Sequence, residues 1–158
     1  MLDIALLSPK NKTELKSIGI YQMVGGGLGF VLLILNGSSV FLSTYLIGGL
    51  LFSFSIFSGY SCFKFKDNCF TLTLINQTLQ TLSLVIGSFI FEYVSGAGLG
   101  FVIDMTDSVE ISFDFNLSTL SAGFYNDGTE EYYIGFNLIP MYIIFLTEKI
   151  KKDIRPKT

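Results

Sequence analysis

Between Lys16 and Lys64 the chain carries no charged residue. A stretch so long and so apolar restricts the fold more than any other feature. Residues 18–35 and 40–60 form two apolar runs within it. A bilayer core of ~30 Å needs ~20 helical residues, and ~17 can suffice. Each run is therefore expected to cross a membrane as an α-helix. The four residues between them, Asn36-Gly37-Ser38-Ser39, form a turn that makes the two helices antiparallel neighbours. A signal peptide would also pair a basic region with an apolar one, but this run is too long and no small-residue cleavage site follows. Composition agrees: half of the residues are hydrophobic, 15% are charged and mean hydropathy is +0.57, against about 25% charged in soluble domains.

Two further apolar stretches follow. The third, from Phe70 to Ile103, is interrupted by Asn76, Gln77, Gln80 and Glu92, and then by Ser95-Gly96-Ala97-Gly98-Leu99-Gly100. It predicts a helix over 72–94, with a glycine-rich continuation to 103. The fourth covers 132–147, with Pro140 expected to kink it. Between them, 104–131 is acidic: Asp104, Asp107, Glu110, Asp114, Asp127, Glu130 and Glu131 occur with no Lys or Arg. Inside it Val109, Ile111, Phe113, Phe115 and Leu117 alternate with polar residues, a period of two that reads as a half-buried strand. With the Asn126-Asp127-Gly128 turn signal, this segment predicts a small hairpin-like cap outside the membrane. The expected architecture is all-α with four spans.

The ten basic residues lie in three segments: a lead over 1–17, the link at Lys64 and Lys66, and a tail over 148–158. Four spans place all three on one side. The positive-inside rule makes that side the cytoplasm, with both termini there. The acidic cap then faces outward. In the lead, Pro9 is expected to break any helix formed by Leu2, Ile4, Leu6 and Leu7.

Chemistry is scarce. There is no histidine, so histidine-based catalytic dyads and triads and histidine metal sites are excluded. A Ser-Lys dyad would need a lysine at membrane depth, and none is present. Cys62 and Cys69 read as reduced thiols, too few for a structural zinc site. The outer carboxylates show no calcium-loop pattern. The basic residues, few and beside the bilayer, fit anionic lipid better than nucleic acid. No enzyme activity and no cofactor are implied.

Two sets of residues stand out. Gly25 with Gly29, Gly96 with Gly100, and Ser55 with Gly59 have the small-xxx-small spacing that lets helix backbones approach. The segments around Gly25 and Gly96 are alike enough to raise a duplicated unit, though glycine is frequent in membrane helices. Glu92, Asn76, Gln80 and Asn137 are polar groups within apolar runs and could line a polar path. A membrane carboxylate is a functional candidate by default, yet the register from Leu72 puts Glu92 at the outer interface.

Residues 57–148 resemble a group of uncharacterised small four-helix membrane proteins of bacteria. Ser58-Gly59-Tyr60, Asn76-Gln77 with Gln80, Tyr93-Val94-Ser95-Gly96 and Gly135-Phe136-Asn137-Leu138 carry the resemblance. It implies four spans in a bacterial inner membrane and adds no mechanism. The expectation is a non-enzymatic accessory or scaffolding subunit of a larger membrane complex. Its partners are lipid and either other membrane subunits or its own copies. The rival is a small oligomeric transporter or channel using Glu92 and the amides.

Overall fold

A computed structural model describes residues 7–35, 42–124 and 131–154. The elements are α1 (Pro9–Leu35), α2 (Leu42–Phe63), α3 (Cys69–Thr81), β1 (Leu82–Gly87), β2 (Phe89–Tyr93), β3 (Ala97–Asp104), β4 (Glu110–Leu117), β5 (Leu120–Phe124), β6 (Glu131–Asn137) and α4 (Leu138–Ile154). The six strands form one antiparallel sheet in the order β4-β3-β6-β1-β2-β5. The all-α, four-span expectation is therefore overturned. Among the described residues only α1 and α2 are long and apolar enough to cross a membrane, by length and composition alone.

The expected third span is a short helix followed by three strands. Hydropathy cannot distinguish these, because an apolar run of this kind suits a buried helix or a strand equally well. The local signals are in the residues. α3 stops where Leu82-Ser83-Leu84-Val85-Ile86 begins, and Gly87, at φ 57°, turns the chain back. The expected fourth span is strand β6 running into α4. Pro140 does not kink it. It is the third residue of α4, in the first turn, where no intrahelical N–H bond is lost. Pro9 is the first residue of α1, so that helix extends back through most of the expected lead. The turn expectations at 36–39 and 126–128, and that for Leu2, Ile4 and Leu6, lie outside the described residues.

The sheet must curl. β4 and β5 are its two opposite edges, yet only Ser118 and Thr119 separate them in sequence. A flat six-stranded sheet would hold its edges ~24 Å apart, whereas so short a link reaches only ~10 Å. The edges converge at the end nearest the helices. There the two connections cross and bond, Val94 N to Thr119 O at 2.8 Å and Ser118 N to Gly96 O at 2.7 Å.

Register assigns each residue to a face. Glu110, Ser112, Asp114 and Asn116 of β4 share one face with Gly98, Gly100 and Val102 of β3, Gly135 and Asn137 of β6, and Ser83 of β1. Ile111, Phe113, Phe115 and Leu117 share the other with Leu99, Phe101, Ile103, Ile134 and Phe136. The first face is the inside of the curl and is polar. The second is the outside and is apolar, with Phe113 85% and Phe115 67% exposed. The alternation at 109–117 does form a strand, but it belongs to this larger sheet, and its apolar side faces outward.

The helices show the same inversion. α3 buries Thr73, Asn76, Gln77 and Gln80 and exposes Ile75. α1 and α2 bury Gln22, Ser55 and Ser58 while exposing Val24, Val31, Leu46 and Leu50. Among the described residues, buried polar side chains are as numerous as buried apolar ones. At the other end, Leu7, Leu15, Cys62, Cys69, Phe70 and Ile150 pack into one apolar cluster. That cluster ties the start of α1, the α2–α3 turn and α4 together, so the segments bearing Lys10 to Lys16, Lys64 and Lys66, and Lys149 to Lys152 meet at one end. Both cysteines are free and buried there.

Candidate functional site

Two polar regions lie inside the molecule. The first joins α1, α2, α3 and the β2–β3 turn. Gln22 is its hub. Its Nε2 donates to Thr73 Oγ1 at 3.1 Å, and its Oε1 accepts from Ser58 Oγ and Asn76 Nδ2, both at 2.8 Å. Asn76 also donates to Ser55 Oγ at 3.2 Å, and Ser55 bonds Ser95 at 2.8 Å. Tyr93 donates to Leu51 O at 2.9 Å, and Gln80 Oε1 accepts from Ser95 N at 2.9 Å. The network therefore locks the sheet onto the helices. Some buried groups have no partner among the described residues: Ser61 Oγ, both amide atoms of Gln77 and Gln80 Nε2.

The second region is a cleft of about 150 Å³ within the curled sheet. Gly98, Gly100 and Gly135 line it; their missing side chains leave the space open. Glu92 on β2 and Asp114 on β4 stand on its walls. Asn116 Nδ2 bridges them, donating to Glu92 Oε1 and to Asp114 Oδ2, each at 2.6 Å. Burial, and then the neighbouring Asp114 carboxylate, push the Glu92 pKa upward.

Asn137 closes the helix end of the cleft. As the residue before α4 it caps that helix, Oδ1 accepting from Ile139 N at 3.2 Å and from Leu99 N at 3.1 Å. These two donors fix which way the amide points. Its Nδ2 is left facing Gly98, where a Cβ would stand 3.0 Å from it, and has no partner among the described residues. Asn137 is only 7% exposed.

The candidate residues of the sequence thus divide. Asn76 and Gln80 sit in the helix network, while Glu92 and Asn137 sit in the cleft, and among the described residues no hydrogen bond connects the two groups. Glu92 is on a strand, not on a helix. The glycines also part company. Gly29 faces the ring of Phe52 and Gly59 faces Gly19 O of α1, whereas Ser55 belongs to the network. Gly96 and Gly100 are on no helix: Gly96, at φ 99°, turns the chain beneath Tyr21, and Gly100 lies against Phe136 O. Because 24–31 is helix and 95–102 is turn and strand, the duplicated-unit reading falls. Asp114 and Asn116 were missed as site residues. The period of two in β4 was the available signal, since it puts both on one face together with the even-numbered glycines of β3. Among the described residues no three metal-ligating side chains gather. Compared with known proteins, the chain matches no family model, no curated protein and no solved structure.

Proposed function

We propose that the protein is a non-enzymatic integral membrane protein, with the α1–α2 hairpin set in the bilayer. One observation carries the reading: the helices bury polar side chains, and large apolar ones are exposed on helices and sheet alike. In water this arrangement is costly, because each exposed apolar side chain forgoes ~1.5–3 kcal/mol of burial. For the helices it is the economical one in lipid, since amides and hydroxyls then bond to each other inside. The basic segments gathered at the helical end fit a cytoplasmic face, with the acidic β3–β4 end outward. Of the two roles open to such a protein, the accessory subunit has the better support. The apolar row Ile111, Phe113, Phe115 and Leu117 runs along an edge strand and offers a partner subunit both side chains and free backbone groups.

Carbonate extraction of membranes from expressing cells tests the reading. The protein is expected to stay with the bilayer until detergent is added. Release by carbonate alone contradicts it. Gentle-detergent purification from the native host then tests the role: a stoichiometric larger partner supports the subunit, and a pure homo-oligomer opposes it.

A further inference from the structure

We propose that the sheet cleft is a binding site for a short primary amine carrying a neutral oxygen acceptor about two carbons from its nitrogen. The two ends of the cleft ask for the two ends of such a molecule. Glu92 and Asp114 present carboxylate oxygens within reach of one shared donor, Asn116 Nδ2. Two half-buried carboxylates repel each other, and a single amide does not neutralise them. An ammonium group does, and its three N–H donors suit several acceptors. Burial first, and then the Asp114 charge, raise the Glu92 pKa, and an ammonium beside both carboxylates opposes that shift.

The opposite wall supplies the second requirement. Asn137 is more than nine-tenths buried, and its Nδ2 faces the cleft unpartnered. An orphaned buried donor is costly and calls for an acceptor. Because Leu99 N and Ile139 N hold the amide oxygen, the group cannot flip to offer an acceptor instead. That excludes a bare metal ion as the better occupant, since N–H groups repel cations. Gly100 pairs with Asp114 on one side and Asn137 on the other. The two walls are therefore two strand spacings apart, ~10 Å between backbones, over a floor without side chains. A cavity of this size holds a molecule of benzene dimensions, and an amino alcohol is smaller. The same spacing of ammonium and oxygen occurs in free ethanolamine and, with the oxygen as a phosphate ester, in an ethanolamine lipid headgroup.

The test is calorimetric titration of the full chain in detergent with ethanolamine, ethylamine, ethylene glycol and Ca²⁺. Ethanolamine is expected to bind saturably. Ethylamine, lacking the acceptor, binds several-fold to about tenfold more weakly, the worth of one hydrogen bond. Ethylene glycol and Ca²⁺ give no saturable binding. Glu92→Gln and Asp114→Asn each weaken ethanolamine about tenfold to a hundredfold. Saturable Ca²⁺ binding, equal affinity of the wild type for both amines, or no ethanolamine binding overturns the proposal. The source is read in nanodiscs: competition with soluble ethanolamine by phosphatidylethanolamine but not by phosphatidylcholine assigns the headgroup, and no competition by either assigns the free amine. The titration in detergent does not depend on the bilayer reading.

Discussion

Gly25 in α1 and Gly96 in the β2–β3 turn meet backbone to backbone: a Cβ on Gly25 would stand 2.5 Å from the nitrogen of Gly96. This contact, with Tyr21 donating to Ala97 O at 2.8 Å and Ser118 Oγ donating to Gly25 O at 3.2 Å, fixes the sheet against the hairpin. Gly25→Ala is expected to destabilise the protein by about 1–3 kcal/mol, the usual cost of overpacking. Gly27 supplies the control. No neighbour lies within 4 Å of its Cβ position, so Gly27→Ala is expected to be neutral or to stabilise by up to about 1 kcal/mol. Denaturant titration in detergent distinguishes the two. Equal effects at both positions would remove the special role of the Gly25–Gly96 contact.

The buried amides make opposite predictions according to whether they are paired. Gln22 makes three side-chain hydrogen bonds in the interior. Gln22→Leu is expected to cost about 2–4 kcal/mol, at ~0.5–1.5 per bond. Gln77 is as deeply buried, and neither of its amide atoms is paired. Gln77→Leu removes that desolvation cost and is expected to stabilise by about 1–3 kcal/mol. Thermal unfolding of both variants checks the pair. Destabilisation by Gln77→Leu would show that its amide has a partner in the assembled protein.

How much of this arrangement could be read from the residues varies with the element. The apolar hairpin was legible, because a charge-free stretch of that length has few other uses. So was β4, whose alternation is a local signal. Its facing was not, since period two says that two faces differ and not which one is inward. The third span failed for a related reason. Residues 82–93 satisfy a hydropathy window whether they coil or extend, and strand pairing with β6 and β5 is a non-local choice. Asn76, Gln77 and Gln80 were visible as polar interruptions. Their common facing inward follows from helix spacing. The cleft was not visible at all. It exists because the two-residue link at Ser118-Thr119 joins opposite sheet edges, and because Glu92 and Asn116, with three strands between them in the sheet order, meet across the inside.

Glu92 sets a pH dependence. Its pKa is raised by burial first and by Asp114 second, above an ordinary value of 4.5. The folded protein therefore holds this proton to higher pH than the unfolded chain. Stability associated with Glu92 is full below the ordinary carboxylate range and is lost as pH rises through the raised value. Glu92→Gln abolishes that loss. In the absence of ligand the variant is expected to melt higher than wild type at neutral pH and level with it at acidic pH. The same melting difference at both would place Glu92 in an unperturbed environment.

The central claim is that the outward apolar surface faces lipid while the polar groups face inward. Nitroxide labels at Val24→Cys on α1 and Leu46→Cys on α2, in a background with Cys62 and Cys69 replaced by alanine, read this directly in reconstituted bilayers. Both positions are more than half exposed, at 55% and 61%. Collision with dissolved oxygen, which concentrates in lipid, is compared with collision with a water-soluble nickel chelate. The account predicts strong oxygen and weak nickel relaxation at both sites. Strong nickel relaxation at both would put this surface in water and contradict the account.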